Sequence, residues 1–317
     1  MIPFGNRKSD TVAALGEERL IASIRRWLGD VSPPAPLGIG DDCAILPASR
    51  HAQAITVDPV IYGRHFDDTI PPRAVGAKLL KRNLSDLAAM GAKPRVAVVA
   101  LTLDARTRIE WLEHFHRGLA ACARKYGVAI VGGDVAQCAQ GLAASLTLVG
   151  EAAGPRMLTR AGARIGDHLY VTAPLGGSRL GKHYRFTPRL AEGIWLAARR
   201  DIHAMMDLSD GLAKDLHALT PHHAQPILHE TKIPVSVAAK KLARQSGRPA
   251  LAHALSDGED FELLVAVAKS ADHAALQRAW RRRFKRPLYC IGTFGPAGKT
   301  PPDAIDLTAY RGYEHLR

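Results

Sequence analysis

Met206-Asp207-Leu208-Ser209-Asp210-Gly211-Leu212 is the stretch on which the reading of this chain turns. It places two carboxylates and a hydroxyl within four residues. An apolar run, Ala204 to Met206, leads in, and a helix-like run, Leu212 to Leu219, leads out. Carboxylates crowded together repel one another unless something positive lies between them, and the natural partner is a hard divalent cation with phosphate oxygens. Ser209 or Asp210 is also a natural N-cap for the following helix. Capping accounts for one polar side chain, not three. Similar acidic knots recur at Gly40-Asp41-Asp42, Thr56-Val57-Asp58, Asn83-Leu84-Ser85-Asp86, Gly132-Gly133-Asp134 and Gly258-Glu259-Asp260.

The 317 residues favour two domains, and 47% hydrophobic content suffices for buried cores. Each half alternates strands and helices, which predicts two α/β (α+β) domains, with Gly154-Pro155 as the boundary between 1–153 and 154–317. No apolar run approaches the ~18 residues needed to span a membrane. The N-terminus lacks an apolar export core, and the four cysteines show no paired spacing. These features predict a cytoplasmic protein without a membrane partner. The formal charge of +13 raises nucleic-acid binding. The basic clusters are short, however, and aromatics are only 6%, so no recognition helix or stacking sheet is apparent. The charge reads as a solvated surface that favours anionic substrates.

Taken in order, Leu15–Leu28 predicts an amphipathic helix. Asp41 and Asp42 follow glycine-rich chain and precede an apolar, strand-like run. Gln53–Asp58 predicts a strand that delivers Asp58 at its end, with Pro59 stopping the ladder. His65 is isolated, a pattern more often structural than liganding. Val75, Leu79, Leu80, Leu84, Leu87 and Met90 make one stripe of a helix over 73–90, with Asn83 and Asp86 sharing a face. Asp86 then reads either as a functional acid or as a helix-surface acid paired with Arg82 or solvent. Strands are expected at 94–103, 128–131 and 141–150, and a helix at 106–126. Gly132-Gly133 beside Asp134 suits close approach of a phosphate or ribose at a strand end. In the second half, strands are expected at 168–172, 261–267 and 288–294. Helices are expected at 187–203, 212–219, 236–245 and 270–283.

Together the knots resemble those of the thiamine-monophosphate kinases, a branch of the family built on the fold of aminoimidazole ribonucleotide synthetase. The resemblance is carried by Gly38-Ile39-Gly40-Asp41-Asp42-Cys43-Ala44, by Asp58 with Gly63-x-His65-Phe66, and by Asn83 to Ala92. Gly132-Gly133-Asp134, Leu158 to Ala163, Asp207 to Leu212, Gly258 to Leu263 and Gly312-Tyr313-Glu314-His315 extend it in order to the end of the chain.

The resemblance implies an aminoimidazole ribonucleotide synthetase-like fold of two domains. The N-terminal domain would bind ATP and magnesium and form a shared β-barrel in a homodimer. The C-terminal domain would pack helices on a mixed sheet and complete the active site. The implied reaction moves the terminal phosphoryl of ATP onto thiamine monophosphate. Mg2+ would be held by Asp42, Thr56, Val57, Asp58, Asp86, Asp134, Asp207 and Asp210, of which Asp42, Asp58, Asp86 and Asp210 would be catalytic. Gly133, Asp134, Arg160 and Ser209 would contact ATP, and His65, Glu259 and Tyr313 the thiamine part.

Four features depart from the family pattern. Val57 and Val135 stand where threonine is usual, Asp257 stands where a glycine precedes Gly-Glu-Asp, and the segment 175–189 is short. Every metal-type acid remains, which favours a working kinase. The alternatives are an ATP-dependent relative acting on another small substrate and a silent nucleotide-binding relative.

Overall fold

The structure, a computed structural model, describes residues 1–40, 43–298 and 301–314. They belong to two compact units, Met1–Leu87 with Lys93–Ala152, and Ala88–Ala92 with Ala153–Arg317.

The first unit begins with a single turn, α1 (Val12–Leu15), and the amphipathic α2 (Glu17–Leu28), which buries Leu20, Ile24, Trp27 and Leu28. A four-stranded sheet follows, of β1 (Gln53–Ile61), β2 (Ala92–Asp104), β3 (Ala129–Cys138) and β4 (Leu142–Ala152) in the order β1-β4-β2-β3. β1 and β4 pair antiparallel, while β2 and β3 are parallel and joined through α4 (Ile109–Tyr126), as a parallel pair requires a crossover. The helix α3 (Pro72–Met90) buries Val75, Leu79, Leu80, Leu84 and Leu87 almost completely, the stripe its sequence predicts. Gly76 and Gly118 let α3 and α4 touch backbone to backbone. A Cβ on either would lie 2.0 Å from the carbonyl oxygen of Phe115 or Arg73.

Two expected strand ends are strand interiors. β1 runs on through Pro59, opposite Ser145, to Ile61. It lies at the edge of the sheet, where a missing N–H need not break a ladder. β3 likewise continues through Gly132 and Gly133, which pair with Val98 and Val99.

The second unit holds a five-stranded sheet of β5 (His168–Val171), β6 (Ile202–Asp207), β7 (Ala224–Leu228), β8 (Leu263–Val267) and β9 (Tyr289–Pro296) in the order β6-β8-β5-β9-β7. The sheet expected to be mixed is antiparallel in all four pairings. The helices are the single turn α5 (Lys182–Arg185), α6 (Leu190–Ala197), α7 (Leu212–Leu219), α8 (Val237–Ser246), α9 (Ala250–Ser256) and α10 (His273–Phe284). Leu169, Met206, Leu208, Leu216, Leu264 and Phe294 belong to one apolar core that sets β6 and the residues after it.

The helix expected over 187–203 is only α6. Arg156 accounts for its early stop. Its guanidinium donates to the carbonyl oxygens of Ala197 (3.2 Å) and Arg199, occupying acceptors at the helix end, and to that of Ile202 (2.8 Å), the first residue of β6.

Candidate active site

In the second unit, β6 carries the apolar run into Asp207, which is 4% exposed. The chain then turns through Leu208–Gly211 into α7. The expected N-cap by Ser209 or Asp210 does not occur. Gly211 occupies the cap position with φ 108° and no side-chain cap. Asp215, one turn inside the helix, reaches back instead. Its Oδ2 accepts the N–H groups of Ser209, Asp210 and Gly211 at 2.9, 2.9 and 3.1 Å. Burial pushes the Asp215 carboxyl up to about 7, the backbone N–H groups oppose this, and the nearby charges of Asp207 and Asp210 add to it. One side chain thus shapes the whole acidic loop. Its sequence signal was an acid in the first helical turn, legible as an acid beside a knot but not as the keystone of the loop.

Asp210 pairs with Lys214 at 2.6 Å. Lys214 also donates to the carbonyl oxygen of Tyr313 at 2.6 Å, and Tyr313 N–H donates to the Asp210 carbonyl at 2.8 Å. Tyr313 is therefore tied to Asp210 of the acidic loop from 103 residues away in sequence. Arg160 lies in a short 3-10 turn beside β6, anchored by Met205 N–H on the Thr159 carbonyl (3.3 Å), with its side chain exposed. Glu259 N–H and Phe261 N–H donate to the carbonyls of Ser209 (2.7 Å) and Leu208 (2.8 Å), so the second acidic knot is laced to the first. The Glu259 carboxylate stands 3.6 Å from His183.

Beneath this surface lies a buried ionic knot. Asp260 and Glu262, 2% and 1% exposed, share Lys182 at 3.2 and 3.1 Å. Arg189 grips Glu262 with two hydrogen bonds of 2.7 Å, and Thr172 adds a third of 2.7 Å. Burial pushes Asp260 up to about 6 against the pull of Lys182 and Gly176 N–H. Neither Lys182 nor Arg189 was legible in the sequence as a partner of the Glu-Asp knot, since only the fold joins them.

In the first unit, alternation along β1 puts Thr56 and Asp58 on one face. Thr56 Oγ1 donates to Asp86 Oδ2 on α3, and Asp58 pairs with Arg82 of the same helix at 2.8 Å. Thr56, Asp58 and Asp86 therefore form one oxygen-rich group against α3, with Arg82 on Asp58. Val57 points to the other face and is 62% exposed, so an oxygen at this position comes only from its backbone carbonyl. Asp134 is exposed, in register with Ala100. With Gly132 and Gly133 it lines a cavity of about 940 Å³ on this unit. His65 is buried at 8%; its Nδ1 accepts Ile61 N–H at 3.1 Å, and Lys78 donates to its carbonyl at 2.8 Å. Asp42 and His315 lie outside the described residues.

Among the described residues, no three His, Cys, Asp or Glu side chains are gathered in a metal-holding group. The donors at hand are carboxylate, hydroxyl and carbonyl oxygens, the ligand type magnesium takes. Magnesium also commonly uses only one or two protein carboxylates, completing its shell with phosphate oxygens and water. The donor set fits that ion on those terms.

Residues 40–152 match the family described as AIR synthase related protein, N-terminal domain. The fold agrees. A hydrogenase maturation protein HypE from Escherichia coli superposes with a TM-score of 0.72 at 19% identity, covering 92% of this chain and 97% of that one. The fold is thus that of the AIR synthase-related proteins. Within it, a thiamine-monophosphate kinase of Rhodopirellula baltica is 39% identical over 293 residues, covering 89% of this chain and 92% of that protein. The thiamine-monophosphate kinase structure from Stenotrophomonas maltophilia superposes with a TM-score of 0.73 at 31% identity, covering 88% of this chain and 93% of that one. An Aquifex aeolicus structure described as AaThiL complexed with AMPPCP and TMP superposes with a TM-score of 0.71 at 26% identity, over 95% and 97% of the two chains. The chain belongs to the thiamine-monophosphate kinase family.

Proposed function

We propose that this protein transfers the terminal phosphoryl of ATP to thiamine monophosphate, giving thiamine diphosphate and ADP. The observation that carries this reading is the acidic loop 207–211, fixed by Asp215 and laced to Glu259 and Tyr313, in a chain 39% identical to a kinase of that name. The Aquifex complex pairs an ATP analogue with TMP, which matches both sides of the reaction.

Phosphoryl transfer of this kind depends on positioning and charge neutralisation more than on a strong base, because the acceptor phosphate is already an anion near neutral pH. The ligands proposed for Mg2+ are Asp42, Asp58, Asp86, Asp134, Asp207 and Asp210, with the Thr56 hydroxyl and the Val57 carbonyl. When bound, Mg2+ neutralises phosphate oxygens. The chain's own part is to hold the acids still. Arg82 fixes Asp58, Thr56 fixes Asp86, and Lys214 fixes Asp210. The contacts proposed for the nucleotide are Gly133, Asp134, Ser209 and Arg160, of which Arg160 offers a fixed cation to a phosphate. The contacts proposed for the acceptor are Tyr313, whose ring suits the thiazolium cation, Glu259 and His65.

The working form is a homodimer. Ile55 and Val57 are 72% and 62% exposed on the face of β1 that pairs with Thr147 and Val149, two residues lining the 940 Å³ cavity. Exposed apolar strand faces of this kind favour a second copy. No helix among the described residues is long and apolar enough to cross a membrane, and the unpaired spacing of the four cysteines supports a place in the reducing cytoplasm.

Incubation with ATP, Mg2+ and thiamine monophosphate tests the reading, with both products quantified by mass spectrometry. Equal amounts of ADP and thiamine diphosphate are expected. ATP consumed only with other acceptors, or not at all, defeats it.

A further inference from the structure

The segment from Asp257 to Glu262 is held in a conformation that its side chains resist. Gly258, Glu259 and Phe261 have φ of 71°, 51° and 50°, the left-handed region that residues with a Cβ avoid. Such backbone persists only where the surroundings over-determine it. On one side, Glu259 and Phe261 N–H groups are pinned to Ser209 and Leu208. On the other, two carboxylates clamp consecutive N–H groups of the Gly176-Gly177 turn. Asp260 accepts from Gly176 at 3.0 and 3.1 Å, and Asp257 Oδ2 accepts from Gly177 at 2.9 Å.

Asp257 has a second commitment. Its Oδ1 lies 2.8 Å from His253 Nδ1, and His253 Nε2 lies 2.8 Å from Ser246 Oγ at the end of α8. An ionised carboxylate only accepts, so the hydrogen-bond pattern places the proton on Nδ1. His253 and Asp257 are 3% and 5% exposed, and neither opens to a ligand. The turn they support has no slack. A Cβ on Gly176 would meet the backbone of His253 and Ala254 at 2.6 Å, and one on Gly177 the backbone of Ala238 and Ala239 at 2.4 Å. Ser246, His253 and Asp257 thus join α8, α9 and the glycine turn to the first residue of the strained segment.

We propose that Asp257, held by His253 and Ser246, is a positioning residue that sets the 258–262 backbone and hence the place of the Glu259 carboxylate, so that it governs affinity for the phosphorylated acceptor and not for ATP. The half concerning the acceptor rests on the kinase reading above. The half concerning the backbone does not.

Two measurements separate them: peptide-level amide exchange over 174–178 and 256–262, and steady-state kinetics with ATP and thiamine monophosphate varied in turn. Asp257→Ala is expected to speed exchange in both segments and to raise the KM for thiamine monophosphate about tenfold, the scale of one lost hydrogen bond. The KM for ATP stays within about twofold. Asp257→Asn keeps an oxygen for Gly177 N–H and restores most of both readouts. Should the alanine variant not fold, the His253 pair carries the same comparison. His253→Asn keeps a donor near Nδ1 and is spared, whereas His253→Gln keeps only a group near Nε2 and loosens the segment. Unchanged exchange in both Asp257→Ala and His253→Gln overturns the proposal, as does a loss confined to kcat or to the KM for ATP. A wild-type protein that ignores thiamine monophosphate removes the kinase reading, and exchange still decides the positioning role.

Discussion

Replacing Arg189 by methionine takes from Glu262 its two-pronged partner and leaves a carboxylate that is 1% exposed. Burial alone pushes the Glu262 pKa up; Lys182, Arg189 and Thr172 together outweigh it and hold the group below the usual glutamate range. Breaking a buried ion pair by removing one partner costs about 3–5 kcal/mol. Lys182 remains 3.1 Å away, so the lower end, about 3 kcal/mol, is expected for Arg189→Met at pH 7. For a unit of this size that corresponds to a fall in Tm of about 6–12 °C by scanning calorimetry. The sign with pH follows from the lowered pKa. The pair's stabilisation is fully present above the unfolded-state glutamate pKa and is lost as pH falls through the lower folded value. In the variant the Glu262 pKa rises, so the gap between the two proteins narrows toward pH 4. Adding Glu262→Gln to the variant removes the stranded charge and returns part of the loss. A cost below about 1 kcal/mol at pH 7, or one equal at pH 7 and pH 4, refutes the assignment of Glu262 as a buried charge held by Arg189.

Asp210→Asn should cut turnover by about a hundredfold or more while the Tm stays within a few degrees, because it removes one charge at a partly exposed pair; near-normal kcat excludes Asp210 from metal binding. Tyr313→Ala is expected to raise the KM for thiamine monophosphate several-fold, consistent with about 0.5–2 kcal/mol for a ring–cation contact, leaving that for ATP in place. If the exposed face of β1 is the dimer surface, Ile55→Asp yields monomers in sedimentation velocity; an unchanged dimer moves the interface elsewhere. His116, 1% exposed, is pushed by burial from 6.5 down to about 4. The unfolded chain therefore binds more protons, and stability falls by about 3 kcal/mol in total as pH drops from 6.5 through 4. His116→Gln should flatten that part of the urea-unfolding profile.

Periodicity was enough where burial is one-sided and local. The stripe of α3 from Val75 to Leu87 and the inward face of α4 were legible because each helix buries a continuous apolar side. The sequence failed where a distant group settles a local question. Nothing between Ala197 and Ile202 stops a helix; Arg156, far upstream, occupies the carbonyls there. Pro59 and Gly132-Gly133 are legitimate stop signals. The first falls on an edge strand, however, and a Cβ on Gly133 would lie 2.0 Å from the Val99 carbonyl, so that glycine serves tight strand pairing as much as any ligand.

The acidic knots divide in the same way. Their residue types predict oxygen ligation without reference to any fold. What holds each acid in place was invisible. Asp86 has a helix-surface position that invites pairing with Arg82, yet Arg82 goes to Asp58 and Asp86 takes the Thr56 hydroxyl. Ser209 and Asp210 look like caps, yet they are the groups being capped, by Asp215. Asp257, which reads as a departure from the family pattern, has both oxygens engaged in joining the glycine turn to His253. In each case the sequence names the acidic knot, and a second residue outside it decides where its groups stand. Substitutions at Asp215, Arg82 and Asp257 should therefore move kinetic parameters as readily as substitutions in the knots themselves, because positioning within a fraction of an ångström is what phosphoryl transfer asks of a protein.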